Sequence, residues 1–200
     1  MKNLFDRKAL LLAGGILTLL LIVTVIIVFC FVGGKNTETL TVETPQKLSA
    51  SNKEIFTLDV SISGLGDTLY PAMSASIAFD PAYLEFVGIE EGNVFVTDST
   101  VGKALPQWSC NPEQCNKTGL INIMYLDLSG GKAAFSKELL AEEDNVVFRL
   151  SFRLRGSARS GDVYGLTVED AVFAASDESQ SLAVTNDSLK VKNGKIVLGD

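Results

Sequence analysis

The stretch FDPAYLEFVGIEEG, from Phe79 to Gly92, contains a sharp interruption between two apolar runs. Apolar and small residues alternate up to Phe79, and Leu84 begins the second run. Pro81 has a fixed φ angle and no backbone N–H, so it cannot donate to a strand ladder. The stretch therefore predicts that one β-strand ends at Phe79 and that another follows a structural corner at Asp80-Pro81.

Alternation with a period of two continues on both sides of this corner. It occurs over residues 54–62, 72–79, 121–126 and 147–155, and the end of the chain has a similar pattern. Such alternation is typical of strands with one buried face. Clusters of Gly, Pro, Ser, Asn and Asp separate the runs, and only residues 136–143 suggest a brief helix. The sequence therefore predicts an all-β sandwich.

The order of these segments resembles the cohesin domain family, whose members carry a (Tyr/Phe)-Asp-Pro-x-x-Leu-Glu-x-x-x-(Val/Ile)-x-x-Gly unit at this place. LTVETPQKLSASNKEIFTLDVSISG, LINIMYLDLSGG, NVVFRLSFRLRGSARSG, LTVEDAVFAASDE and NGKIVLG are similar to the family's other strands, in the family's order. The resemblance covers about Leu40 to Gly199 and implies a nine-stranded jelly-roll β-sandwich. Cohesins are not enzymes; they bind dockerins, which are small calcium-loaded pairs of helices on secreted proteins.

The resemblance also implies a binding face. In cohesins the dockerin sits on one sheet face that includes the strand before Asp-Pro and the central strand. The matching outward residues of the first strand are Ala72 and Ser74, followed by Ser76, where the family often has Asn and Asp. Met124 and Asp127 match positions where the family often has an apolar residue and an acid. We therefore expect Ala72, Ser74, Met124 and Asp127 to contact a partner; the alternative is that Met124 only packs within the fold.

Residues 9–32, ALLLAGGILTLLLIVTVIIVFCFV, are apolar and carry no charge. As a helix they would span about 36 Å, against a hydrocarbon core of about 30 Å. A signal peptide normally has a shorter apolar region and a small-x-small cleavage site, and a lipidated Cys30 would follow a small residue instead of Phe29. We predict an uncleaved transmembrane helix over residues 9–32, with a cleaved signal peptide and a lipidated Cys30 as alternatives.

Charge predicts the orientation of this span. Lys2, Arg7 and Lys8 precede it and Lys35 follows it, so residues 1–8 should stay in the cytoplasm. Residues 33–39 would then be a short linker and residues 40–199 an extracellular domain of a bacterial or archaeal single-pass protein. Beyond residue 35 the chain has 13 basic and 23 acidic residues, a net charge of −10. This acidity argues against nucleic-acid binding, which needs a basic surface.

Cys110 and Cys115 enclose a turn-prone Asn-Pro-Glu-Gln segment, and we predict a disulfide between them because the domain should lie outside the cytoplasm. A metal site is disfavoured because the chain has no His to complete a set of ligands. Trp108 lies two residues before Cys110 and could stack on a sugar ring, or it could belong to the core.

The chain offers little for catalysis and implies no cofactor. It has no His for general-base chemistry, no Gly-rich phosphate loop and no Gly-x-Ser-x-Gly elbow. Two glycosylation sequons, at Asn116 and Asn186, are expected to be chance matches.

We therefore expect a membrane-anchored module that binds a secreted or envelope protein with a calcium-loaded dockerin. The alternatives are a polysaccharide-binding module, which would need exposed aromatic residues such as Trp108, and a structural subunit of a surface assembly.

Overall fold

The computed structural model describes residues 38–45, 47–92, 110–138, 140 and 145–200. They belong to a structural unit that runs from Thr37 to Asp200. The predicted transmembrane segment at residues 9–32 and Trp108 lie outside the described residues. In the part of the chain that is described, no helix is long and apolar enough to cross a membrane.

The described residues form eleven strand segments and one short α-helix. The strands are β1 (Thr39–Val42), β2 (Leu48–Ser49), β3 (Phe56–Ser63), β4 (Ala72–Ala78), β5 (Leu84–Glu91), β6 (Leu120–Leu126), β7 (Val146–Leu154), β8 (Val163–Ala174), β9 (Leu182–Ala183), β10 (Lys190–Lys192) and β11 (Gly194–Gly199). Helix α1 (Pro112–Thr118) precedes β6, and a 3-10 turn (Glu178–Gln180) precedes β9. The all-β prediction is confirmed, but the predicted number of nine strands differs from these eleven segments, of which β2 and β9 contain only two residues each.

The strands form two sheets. One has the order β10-β1-β3-β7-β5, and the other has the order β2-β11-β8-β4-β6 with β9 beside β8. The pairs β1–β10 and β2–β11 are parallel, and the other strand pairs are antiparallel. Both ends of the domain cross between the sheets, since β1 and β10 lie in the first sheet whereas β2 and β11 lie in the second.

Alternation along the strands produces the core between the sheets. The apolar residues of β4 and β6 predicted to point inward are buried, as are those of β3 after Phe56. Ser151 is at an outward position of the alternation in β7, yet it is only 3% exposed, and its hydroxyl donates to Glu90 Oε1 at 2.6 Å across the strand pair.

The Asp80-Pro81 corner is held by its own backbone and by the segment after α1. Asp80 Oδ1 accepts from the Ala82 N–H at 2.9 Å, and the Asp80 carbonyl accepts from the Leu84 N–H at 3.0 Å. The Phe79 N–H donates to the Gly119 carbonyl at 2.9 Å. The corner therefore ends one strand and begins the next. The Asp80 carboxylate stabilises the turn by accepting a backbone hydrogen bond.

Aromatic rings join the two sheets beneath this corner. Phe152 of β7 is fully buried, and its ring lies 5.5 Å from Phe86, 5.6 Å from Phe79 and 6.2 Å from Phe56 between ring centroids. Phe79 follows β4 in one sheet, whereas the other three rings belong to the opposite sheet. These contacts anchor the end of β4 to the first sheet.

Helix α1 has clear start and stop signals. The Asn111 side chain caps the helix by accepting from the Gln114 N–H at 3.2 Å, Pro112 is the first helical residue, and Gly119 ends the helix with a positive φ of 70°. Asn116 ties the helix to β5, because its amide donates to the Phe86 carbonyl at 2.7 Å and its Oδ1 accepts from the Phe86 N–H at 2.9 Å. The nitrogen of the first sequon is therefore occupied within the fold.

The predicted disulfide is not present in this structure. Cys110 and Cys115 are free thiols whose sulfur atoms lie 3.7 Å apart, against about 2.05 Å in a disulfide. The segment between them is the start of α1 and not an open loop, and Cys115 points into the core. Burial, together with the charge and hydrogen bond of Cys115, raises the pKa of Cys110 to about 12, so the thiol stays protonated at neutral pH.

The brief helix expected at residues 136–143 does not form where the segment is described. Residues 136–138 and 140 make a turn in which the Leu140 N–H donates to the Ser136 carbonyl at 2.9 Å. The remaining residues of that prediction lie outside the described ranges.

Replacing Gly119 with Ala should destabilise the fold by about 1–3 kcal/mol, measured by urea unfolding. Gly119 has a φ of 70°, and an added Cβ would lie 2.8 Å from the Phe79 carbonyl oxygen. Gly66→Ala is the matched control, because nothing lies within 4 Å of a Cβ added at Gly66. Equal unfolding free energies for the two variants would contradict the role given to Gly119 at the corner.

Candidate partner-binding face

The outward residues of β4, β6 and β8 form one side of the second sheet, which we call the docking face. Pairing of the strands arranges these residues in four rows. From one end to the other, the rows are Leu126-Ala72-Ala174, Met124-Ser74-Val172, Asn122-Ser76-Asp170 and Leu120-Ala78-Thr167. The predicted contact residues Ala72, Ser74 and Met124 therefore lie together.

The side chains at the centre of the docking face, along β4, are short. All four outward residues of β4 are Ala or Ser, whereas β6 carries larger side chains beside them. Small residues let the backbone of another molecule approach closely. The side chains along β4 therefore stand lower than those of β6, and another molecule could come closest to the sheet along β4.

One end of the docking face is apolar. Met124 is 60% exposed and Leu126 is 47% exposed on β6. At the same end, Leu128 is 59% exposed in the loop after β6, and Leu69 is 50% exposed before β4. These are four of the six large apolar residues that are exposed in the described ranges, so exposed apolar surface is concentrated at this end.

The next row is polar. The Ser76 hydroxyl donates to Asn122 Oδ1 at 2.8 Å. Asp170 stands beside Ser76 at a β-bulge, where Glu169 is an extra residue on β8. Asp170 Oδ1 is buried and has no hydrogen-bond partner among the described residues.

The outer side of the opposite sheet is different, because arginines on its central strand β7 are paired with carboxylates of the neighbouring strands. Arg149 Nε lies 2.9 Å from Asp59 Oδ1, and Arg153 Nη1 lies 3.0 Å from Glu85 Oε2. Arg149 also donates to the Glu91 carbonyl at 2.7 Å. These side chains are used within the domain, so this side has the character of a solvated surface.

Asp127 does not lie on the docking face itself. It follows β6 and organises the loop from residue 127 to 133. Its carboxylate accepts from the Ser129 N–H at 2.7 Å, from the Ser129 hydroxyl and from the Gly131 N–H at 2.7 Å. The predicted acid is therefore a positioning residue, which fixes the loop that carries Leu128 beside the apolar end.

Hydrogen bonding also sets the acidity of Asp127. Burial alone would raise the pKa of this carboxyl, but bonds from the Ser129 hydroxyl and from the backbone amides of Ser129, Gly131 and Ala133 outweigh burial and hold its pKa below the ordinary value. A lowered pKa in the folded state means that the ionised carboxylate stabilises the fold.

Asp127→Asn should lower the free energy of unfolding at pH 7 by about 1–2 kcal/mol, because Asn cannot accept with both side-chain atoms. The contribution of the carboxylate is complete above the unfolded pKa of about 4 and is lost as pH falls through the lower folded value. The difference between the wild type and the variant, measured by urea unfolding from pH 7 to pH 2.5, should therefore shrink as pH falls. A difference that stays constant with pH would contradict this assignment.

The outward positions of β4, β6 and β8 carry no aromatic ring. Tyr70, Tyr125 and Tyr164 are buried, and Tyr83 is half-buried and stacks on Tyr164 with 5.0 Å between ring centroids. In the described ranges, no group of three or more Cys, Asp or Glu residues could hold a metal ion. The docking face therefore offers no aromatic ring on which a sugar could stack, whereas its exposed apolar residues suit a contact with a protein.

Comparison with solved structures identifies the same architecture. The third cohesin of ScaC from Acetivibrio cellulolyticus, solved with the ScaB dockerin, has a TM-score of 0.59 at 14% identity and covers 82% of this chain and 99% of its own. The sixth cohesin of scaffoldin B from the same organism, solved with a Cel5 dockerin, has a TM-score of 0.60 at 18% identity, covering 80% and 98%. A non-cellulosomal cohesin from the archaeon Archaeoglobus fulgidus has a TM-score of 0.51 at 14% identity, covering 82% and 92%.

A sandwich of two sheets with one ion-paired side and one open side defines a β-sandwich interaction module. The family model of the cohesin domain matches residues 41–192, and the chain belongs to that family. The suspected relationship is thereby confirmed, and membership in a family of non-catalytic modules agrees with the expectation that the chain is not an enzyme. No curated protein is significantly similar to the chain in sequence.

Sequence reasoning missed two parts of this site. The first is Asp170, whose pairing with Ser76 depends on the bulge in β8. A bulge of one residue shifts the alternation by one position, and a pattern with a period of two does not predict where this happens. The second is the apolar extension by Leu69 and Leu128, which lie in loops outside any alternating run.

Proposed function

We propose that the chain is a cohesin module that binds a dockerin-like partner through the docking face, at the outer surface of a cell membrane. The observation that carries the proposal is the cluster of exposed Met124, Leu126, Leu128 and Leu69 at one end of a sheet face with a low centre. The two similar cohesin structures from Acetivibrio cellulolyticus were solved with a dockerin, which supports the same class of partner.

Physical chemistry favours this side of the domain over the other. A partner that covers β4, β6 and β8 would remove apolar surface from water at about 25 cal/mol per Å². A partner on the other sheet would have to desolvate the Arg149–Asp59 and Arg153–Glu85 pairs. Desolvation of ion pairs often costs more than their attraction returns.

Met124→Arg should reduce the affinity for a calcium-loaded dockerin at least about 30-fold, since it places an unpaired cation at the apolar end of the contact. The measurement is calorimetric titration of the full-length chain in mild detergent, with the ScaB and Cel5 dockerins as first probes.

Ile55→Arg is the matched control for this variant. Ile55 is also an exposed apolar residue, at 46%, but it precedes β3 on the other sheet, so its replacement should change affinity less than twofold. Equal affinities for the Met124 and Ile55 variants would show that the partner does not use the docking face.

We further propose that residues 9–32 anchor the module in the membrane, with residues 1–8 in the cytoplasm and residues 40–199 outside. The apolar length of the segment and the position of Lys2, Arg7 and Lys8 support this arrangement. The anchor would hold the module, and any partner bound to it, close to the cell surface.

The anchored chain should remain in membranes after an alkaline carbonate wash and should keep its N-terminus by mass spectrometry. Leu20→Arg combined with Leu21→Arg should release it, because two Arg residues near the centre of the span cost about 6 kcal/mol of insertion free energy. Leu20→Phe combined with Leu21→Phe is the control that preserves apolar character. A purified wild-type chain that begins after residue 30 would establish cleavage instead.

A further inference from the structure

The chemistry of the docking face defines the partner more closely, on the assumption that the proposed function is correct. Across β4, β6 and β8 the only charged residues are Glu169 and Asp170, and both are acidic. By contrast, Arg149 and Arg153 on the opposite sheet already lie beside carboxylates. The docking face therefore has negative charge without a compensating cation in its strands.

Asp170 is the member of this pair that stands in the face. It is paired with Ser76 at the centre of the sheet and is partly buried, whereas Glu169 is the exposed extra residue of the bulge. Asp170 Oδ1 is buried without a hydrogen-bond partner among the described residues. A buried acceptor that lacks a donor carries a free-energy cost in the unbound domain. Because Asp170 is only partly buried, rotation of its carboxylate would bring this oxygen to the surface, where a donor supplied by a partner would remove that cost.

The rows of the face fix where such a donor must be. Asp170 is in the row of Ser76, whereas Met124 is in the row of Ser74, two residues along β4, and Leu126 is in the row of Ala72, four residues along β4. At about 3.3 Å per residue, these two rows lie about 7 Å and about 13 Å from the row of Asp170. On a helix lying along β4 with a rise of about 1.5 Å per residue, the two distances correspond to about one turn and to between two and three turns.

We propose that the docking helix of the partner carries a Lys or Arg that pairs with Asp170. This residue would lie about one turn from the apolar side chain that covers Met124 and between two and three turns from the one that covers Leu126. The cation pairs with the partly buried Asp170 carboxylate, which turns to present Oδ1 to it, and neutralises the negative charge of the face. The cohesin family that the sequence resembles often has Asn and Asp at the outward positions of the strand before Asp-Pro. Here that strand presents only Ala and Ser, and the acceptor is on β8 instead.

The test uses the full-length chain in mild detergent and calcium-loaded dockerins from the two Acetivibrio cellulolyticus complexes as probes. Asp170→Ala should weaken binding tenfold to a hundredfold, because a charge-assisted hydrogen bond is lost. In the tighter-binding dockerin, each helix Lys or Arg is then replaced in turn by Glu. One of these replacements should weaken binding to the wild type by a similar factor, and Asp170→Lys should restore it.

Two controls separate docking from folding. Glu169→Ala removes the same charge one residue away and should change affinity less than threefold. Asp170→Ala should unfold at the same temperature as the wild type or at a higher one, because it deletes an acceptor that has no donor in the free domain. A lowered unfolding temperature would mean that Asp170 supports the fold and would overturn the proposal.

The outcomes also distinguish this inference from the proposed function. In one outcome Met124→Arg abolishes binding, Asp170→Ala binds like the wild type, and Asp170→Lys restores affinity for none of the Glu variants of the dockerin. The docking face is then correct and the pairing of a cation with Asp170 is wrong. If the dockerins do not bind, or if Met124→Arg and Asp170→Ala both leave binding unchanged, the proposed function fails and the inference fails with it.

Discussion

The buried ring of Phe152 makes the contacts on which the arrangement of the sandwich depends. It lies within 6.2 Å, between centroids, of Phe56, Phe79 and Phe86, and only Phe79 belongs to the sheet of β4. The Asp80-Pro81 corner directs Phe79 into this cluster and stops β4 there. The inward positions of β4 are Met73, Ala75 and Ile77, whereas its outward positions are Ala and Ser, and these small side chains make the docking face lowest along β4.

The two outer sides of the sandwich differ in how many of their side chains already have partners within the domain. On one side Arg149 and Arg153 meet carboxylates of neighbouring strands, so little is gained when another protein covers them. On the other side the apolar groups of Met124 and Leu126 stay in water, and the acceptor at Asp170 lacks a donor. A partner that combines apolar side chains with a cation would therefore gain binding free energy on the second side and little on the first.

Much of the fold could be predicted from sequence, because a strand with one buried face imposes a period of two on its residues. The same period makes Ala72, Ser74 and Met124 outward on their strands, and the resemblance to cohesins placed the two strands on one face, as the pairing of β4 with β6 has them. Helix α1 was missed although Asn111, Pro112 and Gly119 carry ordinary start and stop signals, because the spacing of the cysteines favoured a loop. Asp127 was assigned to the contact face, but its carboxylate binds its own loop, and such a local choice of partner depends on backbone geometry that residue spacing does not report.

The most direct test of the central claim is an NMR titration of methionine methyl groups. The chain has three methionines, of which Met124 is 60% exposed on the docking face and Met73 is 2% exposed beneath it. With ¹³C-methyl-labelled methionine in the full-length chain, a calcium-loaded dockerin should shift or broaden the Met124 signal and leave the Met73 signal nearly unchanged. A dockerin that binds while the Met124 signal stays in place would contradict the account, as would a titration in which no dockerin moves either signal.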